Sequence, residues 1–305
     1  MTEGNILKKM MFFALPVLLG NLFQQLYNTV DALVVGNVLG KEALAAVTSS
    51  GSLIFLIIGL VQGIFVGAGV VVARFYGAKD MDVVHTAVHT TIAFALAAGA
   101  GLTVLGIALT PTLLTWMGTP EDVFPSSVLY FRFYFAGAMG IALYNACAGI
   151  FQAVGDSRSP LRFLIFSSVT NVVLDLLFVA VLRIGIAGAA LATMVSQLLS
   201  ASLAFRKLTR ADGPHRVRVR HIRFDGKMLR RIVGLGLPTG VQNSVISFAN
   251  VIVQSNINAF GSDAMAGSGT YFKLEGFAFL PITSFCVAIT TFVSQNLGAG
   301  LHDRA

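Results

Sequence analysis

The chain has 305 residues, of which 55% are hydrophobic and only 11% charged, with a mean hydropathy of +0.79. Soluble domains carry about 25% charged residues, so a soluble fold could not keep this much apolar surface out of water. Lys and Arg number 21 against 14 Asp and Glu, a net charge of +7. Where the basic residues fall decides whether that excess marks a nucleic-acid surface or a membrane topology.

A spanning helix needs about 20 mostly apolar residues. Eight runs qualify: residues 11–37, 44–73, 85–110, 128–152, 162–182, 186–205, 232–259 and 270–296. The first follows Lys8-Lys9, is too long for a signal-peptide core and has no small-residue cleavage site after it, so it reads as a retained helix. Cys147 and Cys286 both lie in apolar runs, which predicts burial as small hydrophobes. Neither a disulfide framework nor a zinc site is expected. With the N-terminus on the cytoplasmic side, 17 of the 21 basic residues fall on the inner side and four (Lys41, Arg132, Arg183, Lys273) at outer positions. That asymmetry orients the chain and accounts for the charge as topology, with no nucleic-acid partner. Arg132, among Tyr130, Phe131, Phe133 and Tyr134, is expected to snorkel in an outer aromatic belt. His85 and His89 have the spacing of metal ligands, but no third ligand is evident, and a solvated helix start is the plainer reading. The long basic stretch 206–231 reads as a solvated inner loop joining two bundles, in contact with lipid headgroups at most.

The chain repeats. Shifted by 222 residues, Leu15-Pro16 falls on Leu237-Pro238 and Asn28 on Asn250; shifted by 221, Gly40 falls on Gly261, Glu42 on Asp263 and Gly77-Ala78 on Gly298-Ala299. Six runs precede the long loop, so the second copy starts in the same orientation as the first: a parallel repeat, as in many secondary transporters. The expected organisation is a six-helix lobe over 1–205, a basic inter-lobe loop over 206–231, and the first two helices of a second lobe over 232–305. On that reading the chain is cut after its eighth helix.

Charge inside a bilayer is costly and by default functional. Asp31 in the first run and Asp175 in the fifth each lie about 7 residues from the outer end, roughly 10 Å deep at ~1.5 Å per residue. Asn171 shares the helix face of Asp175, and Thr193 in the sixth run lies at the same level. Two carboxylates with an amide and a hydroxyl can hold a proton, or ligate Na⁺ through hard oxygen donors. The plainer alternative is a hydrogen-bonded polar pair that fixes helix packing. Tyr27, Asn28, Tyr144 and Asn145 are candidates for lining an internal cavity, and Pro16 permits bending of the first helix.

These residues resemble the multidrug and toxic compound extrusion (MATE) transporters: Leu15-Pro16 through Tyr27-Asn28-Thr29-Val30-Asp31, then Gly40-Lys41-Glu42-Ala43-Leu44-Ala45-Ala46-Val47. Gln152-Ala153-Val154-Gly155-Asp156, Asn171-Val172-Val173-Leu174-Asp175, Gly188-Ala189-Ala190-Leu191-Ala192-Thr193 and Ser294-Gln295-Asn296-Leu297-Gly298-Ala299-Gly300 are similar to the same family. The resemblance implies an all-α, two-lobe antiporter that exports organic cations and other amphipathic compounds across the cytoplasmic membrane against inward H⁺ or Na⁺. It needs no cofactor beyond that ion, and is expected to be a monomer when full length. It assigns the coupling ion, including Na⁺, to Asp31, Asn171, Asp175 and Thr193, and the helix bend to Pro16. The seventh run has no acid, unlike another branch of the family, which places coupling in the first lobe.

Two other functions compete. A lipid-linked oligosaccharide flippase would line its cavity with cations, and the visible helices offer only Arg132. An intramembrane aspartyl protease also uses two buried aspartates but expects a Gly-x-Gly-Asp context, which neither Asp31 nor Asp175 has.

Overall fold

The computed structural model describes every residue except 41, 42, 44–50, 117, 118, 120, 122, 123 and 259–261. Side chains of 51–58, 251, 254, 255, 258, 262–270 and 272–274 are also outside the description. The expectations resting on Lys41, Glu42 and Gly261, and on the side chains of Asp263 and Lys273, therefore lie outside the described residues.

Nine helices carry the described chain: α1 (Ile6–Leu39), α2 (Gly51–Gly77), α3 (Met81–Trp116), α4 (Phe124–Ala136), α5 (Ala138–Ala153), α6 (Arg158–Asp175), α7 (Ile186–Thr209), α8 (Gly226–Asn258) and α9 (Ser262–Gly298). No strand occurs among the described residues. Asn5 starts α1 by accepting the Lys8 N–H at 3.0 Å through its side-chain oxygen, satisfying one of the orphan donors of a helix start. Seven helices are long and apolar enough to cross a membrane, and the bent pair α4–α5 makes an eighth span.

Two spans differ from simple rods. The fourth run, expected as one helix, breaks at Gly137 into α4 and α5, inclined by 42°. A Cβ on Gly137 would touch Met194 of α7, so the break sits where α7 packs closely. The fifth run is α-helical to Asp175 and continues as a π-helix over Leu176–Val181. The inter-lobe loop is shorter than 206–231. Arg206 and Lys207 form the last turn of α7, and Lys227 to Arg231 lie in the first turns of α8, leaving 210–225 between them. Hydropathy marks where a helix leaves the bilayer, not where it ends, and basic residues suit a helix C-terminus.

The main core cluster joins α2, α3, α5, α7 and α8, with Val72, Val84, Ile92, Cys147, Phe151, Leu208 and Ile232 almost fully buried. Cys286, expected to be buried, is exposed on α9; an apolar run in a membrane helix has a lipid-facing side as well as a packed one.

With the end of the bundle that carries the N-terminus taken as inner, α8 and α9 meet the first six spans along that half. Gly63 and Gly67 of α2 face Gly240 and Gly236 of α8 so closely that a Cβ on either would run into the opposite backbone. This is the small-residue spacing that lets membrane helices approach. Gly77 and Gly298 likewise abut the backbones of Gln295 and Arg74. Phe13, Ala14 and Val17 of α1 pack on Ala288 of α9, and Asn21 donates to Ser284 Oγ at 3.2 Å. At the inner surface, Gln295 Nε2 donates to the Ala153 carbonyl at 2.6 Å. Its Oε1 accepts from the Met1 ammonium at 2.8 Å.

Candidate ion-coupling site

In α1 the buried residues Tyr27, Asp31 and Val35 recur every fourth position, a single helix face. In α6, Ser167, Asn171 and Asp175 do the same. Those faces meet α7, which contributes Thr193 and, one turn on, Gln197. Asp31 lies eight residues from the end of α1, about 12 Å below it.

The four residues singled out in the sequence come together in part by direct contact. Asn171 Nδ2 reaches Thr193 Oγ1 at 3.5 Å, a distance at which a hydrogen bond is weak. Asp31 and Asp175 act on each other electrostatically. Asp31 is 8% exposed, and Asn171 and Asp175 are wholly buried. Yet Asp31 Oδ1, Asn171 Oδ1 and both oxygens of Asp175 have no hydrogen-bond partner. Nine in ten or more buried polar groups are paired in folded proteins. Four buried oxygens, three of them carboxylate, are thus left without a hydrogen-bond partner on two neighbouring helices. The residues present fit H⁺ or Na⁺, both of which hard oxygen ligands accept.

Tyr27 is drawn into this region: its hydroxyl accepts from Gln197 Nε2 at 3.3 Å. Tyr130 of α4 is buried and within electrostatic range of both carboxylates. Gln197 is not among the residues picked from the sequence, where Tyr130 figures only as part of an outer aromatic belt. Gln197 could have been found as the next same-face position after Thr193. The π-helix that begins straight after Asp175 had no sequence signal, although such segments often occur at functional sites.

The remaining candidates make no hydrogen bond to this cluster among the described residues. Asn28 is exposed. Tyr144 is buried in the main core and donates to the Pro160 carbonyl at 3.3 Å. Asn145 donates to Ile141 O of its own helix at 2.8 Å and, as expected of a cavity-lining residue, borders a small apolar cavity with Gln62 and Phe65. Pro16 is internal to α1, which runs unbroken across it, about 22 Å inward of Asp31. Among the described residues, no group of three or more His, Cys, Asp or Glu could hold a metal ion. Arg132 is exposed, but Tyr130 and Phe131 beside it are buried in a core cluster with Phe133 packed against it, so these rings pack inward and do not form the expected outer belt.

Taken together, the spans and their close packing define a polytopic α-helical membrane protein. The MatE family model matches residues 16–177 and 238–305, two stretches whose starts are offset by the same interval as the internal repeat. The chain is 30% identical to a probable multidrug resistance protein of Bacillus subtilis, YpnP, over 99% of this chain and 68% of that one. It is 31% identical to a second from the same organism, YoeA, over 99% and 67%. Among solved structures it resembles an outward-facing multidrug resistance MATE family transporter of the MOP superfamily. That match has a TM-score of 0.92 and 26% identity, covering 99% of this chain and 67% of the other. The chain thus belongs to the MatE family of multidrug efflux transporters and spans about two-thirds of the length of these relatives. It is a transporter and not an enzyme, which removes the protease reading.

Proposed function

We propose that the protein is the greater part of an ion-coupled antiporter that exports organic cations and other amphipathic compounds across the cytoplasmic membrane. The observation that carries this reading is the set of buried, unpartnered oxygens on Asp31, Asn171 and Asp175. A bare carboxylate pair in that setting repels itself and must take up a cation, which is what an ion-driven cycle requires. Helices α8 and α9 close against the first six spans along the inner half, while the acids lie towards the opposite side. This supports a state sealed on the cytoplasmic side, in which the coupling ion loads from outside. Helix α1 links the two regions. Pro16 removes one backbone hydrogen bond and is the proposed point at which α1 bends when the ion binds, changing the cavity between the lobes and expelling the drug.

The test is efflux of a fluorescent cation from vesicles holding the full-length transporter, with pH and Na⁺ gradients imposed separately. One gradient should drive export and Asp31→Asn should abolish it while the protein remains inserted. Export by the variant at the wild-type rate would end the proposal.

A further inference from the structure

The inner end of α3 and the inter-lobe loop enclose a cleft of about 180 Å³, roughly six water volumes at ~30 Å³ each. His85 and Thr86 line it from the helix, and Arg220, His221, Arg223 and Asp225 from the loop. We propose that this cleft binds the phosphate of an anionic lipid headgroup. The proposal rests on the loop lying beside a leaflet and is independent of the coupling and export readings.

The loop is held in place before any ligand arrives. His89 Nε2 accepts the Arg218 backbone N–H at 2.9 Å, so the ring proton belongs on Nδ1, which then donates to the His85 carbonyl at 2.7 Å. Thr90 Oγ1 accepts the Asp225 N–H at 3.4 Å. His89 and Thr90 are buried; the His89 bond pins the loop to α3 at the start of the basic run, and the longer, weaker Thr90 contact lies at its other end. His89 has both nitrogens committed and is a structural fastener, not a ligand.

The cations that the pinned loop presents have nothing to bind. Neither Arg220 nor Arg223 makes an ion pair or a side-chain hydrogen bond among the described residues, where the only ion pair joins Lys207 and Asp156. The one acid in the lining, Asp225, is engaged at Oδ1, which accepts the Met228 N–H at 2.7 Å and caps α8. The ring of His221 meets that of His85 edge-on, centroids 5.4 Å apart, adding imidazole N–H donors at the same mouth. Two free guanidinium forks and imidazole N–H groups are the donors that a phosphate takes, while the Thr86 hydroxyl already donates to the Asp82 carbonyl at 3.1 Å.

The flanks identify the source of that phosphate. Along Val219-Arg220-His221-Ile222-Arg223-Phe224, Val219 and Phe224 are 64% and 51% exposed. Large apolar groups left in water beside free arginines make sense at a headgroup boundary, where apolar side chains enter the acyl region and basic ones meet anionic lipid. A soluble phosphate compound would gain nothing from them.

The test uses the purified full-length transporter in nanodiscs of phosphatidylcholine, with phosphatidylglycerol titrated in and retained lipid counted by native mass spectrometry. The wild type should retain phosphatidylglycerol preferentially. Arg220→Gln/Arg223→Gln should weaken that retention about 25-fold, since each arginine near an anionic surface contributes roughly fivefold, with Tm in phosphatidylcholine unchanged. Equal retention by the variant overturns the site. A second measurement needs no variant: the wild-type preference should shrink as salt rises from about 0.05 to 0.5 M, and a preference indifferent to salt overturns it as well. Inorganic phosphate at equal concentration should not displace the lipid. Full displacement by phosphate, with no preference for phosphatidylglycerol over phosphatidylcholine, would assign the cleft to a soluble phosphate compound and overturn the lipid.

Discussion

At the inner end of the first six spans, Asp156 accepts the N–H groups of Arg158 and Ser159 at 3.1 and 3.0 Å. It also accepts the Ser159 hydroxyl and lies 3.5 Å from the Lys207 ammonium. In the outer half of the same spans, Asp31 and Asp175 are far more buried and three of their four oxygens have no partner. The contrast extends to the surrounding helices: the inner halves are locked by glycine contacts and by Gln295, while the outer acids are left unsatisfied. An acid whose lone pairs are all used is holding a turn together. An acid buried without partners destabilises its surroundings until something binds.

The largest effect should come from breaking the inner half. Gly67→Val places a branched side chain into the backbone of Gly236, and overpacking of this kind costs about 3 kcal/mol. The full-length transporter should melt well below the wild type, and a cysteine at the inner surface should react faster with a membrane-impermeant reagent added on that side. An unchanged Tm would mean that α2 and α8 do not bear on each other in the membrane.

The next effect sets the two kinds of acid against each other. Asp156→Asn should lose about 1 kcal/mol, a figure already lowered because the carboxylate is partly exposed and screened, with efflux per folded molecule intact. Burial opposes ionisation of Asp156, but the Ser159 hydrogen bonds and Lys207 outweigh it and hold the carboxyl below its ordinary value. The carboxylate therefore contributes stability above its unfolded value of about 3.9, and loses it as pH falls through the lower folded value. The gap between wild type and variant, followed by thermal melts, should be constant from about pH 5 to 8 and close below about pH 4. Asp175→Asn should behave oppositely: efflux lost, with stability unchanged or up to about 1 kcal/mol higher because no charge remains to be buried. A destabilised Asp175→Asn protein would make that acid another fastener.

Much of this was legible without coordinates, for physical reasons that also mark the limit. Depth below the outer end of a helix is arithmetic on one strand of sequence, so Asp31, Asn171, Asp175 and Thr193 could be gathered at one level. Helix faces follow from period, so Tyr27 and Asp31 could be placed together. What one strand does not encode is which face a neighbour covers. Tyr144 and Asn145 sit side by side in the chain, yet one is fixed to Pro160 and the other to its own helix. Cys147 and Cys286 occupy equally apolar runs, and only the first is buried. The bend at Gly137 and the π-helix after Asp175 arise where helices press on each other, and hydropathy averages over both.

The smallest expected effect is also the sharpest on the nature of the site. Thr193 stands between the two kinds of region, since its hydroxyl has a partner in Asn171 but at 3.5 Å. If the hydroxyl were glue, Thr193→Val would cost about 1 kcal/mol, the worth of a sound hydrogen bond. At this length it should cost under ~0.5 kcal/mol, readable as a Tm shift near the limit of measurement. Its effect on transport then depends on the ion. A Na⁺ held by oxygen ligands loses one of them, so the Na⁺ concentration giving half-maximal efflux should rise severalfold. A proton carried by Asp31 and Asp175 needs no threonine, and a pH-driven rate should be unmoved. A clear loss of stability with no change under either gradient would place Thr193 with Asp156 among the fasteners, and would shrink the unsatisfied cluster to the two aspartates and Asn171.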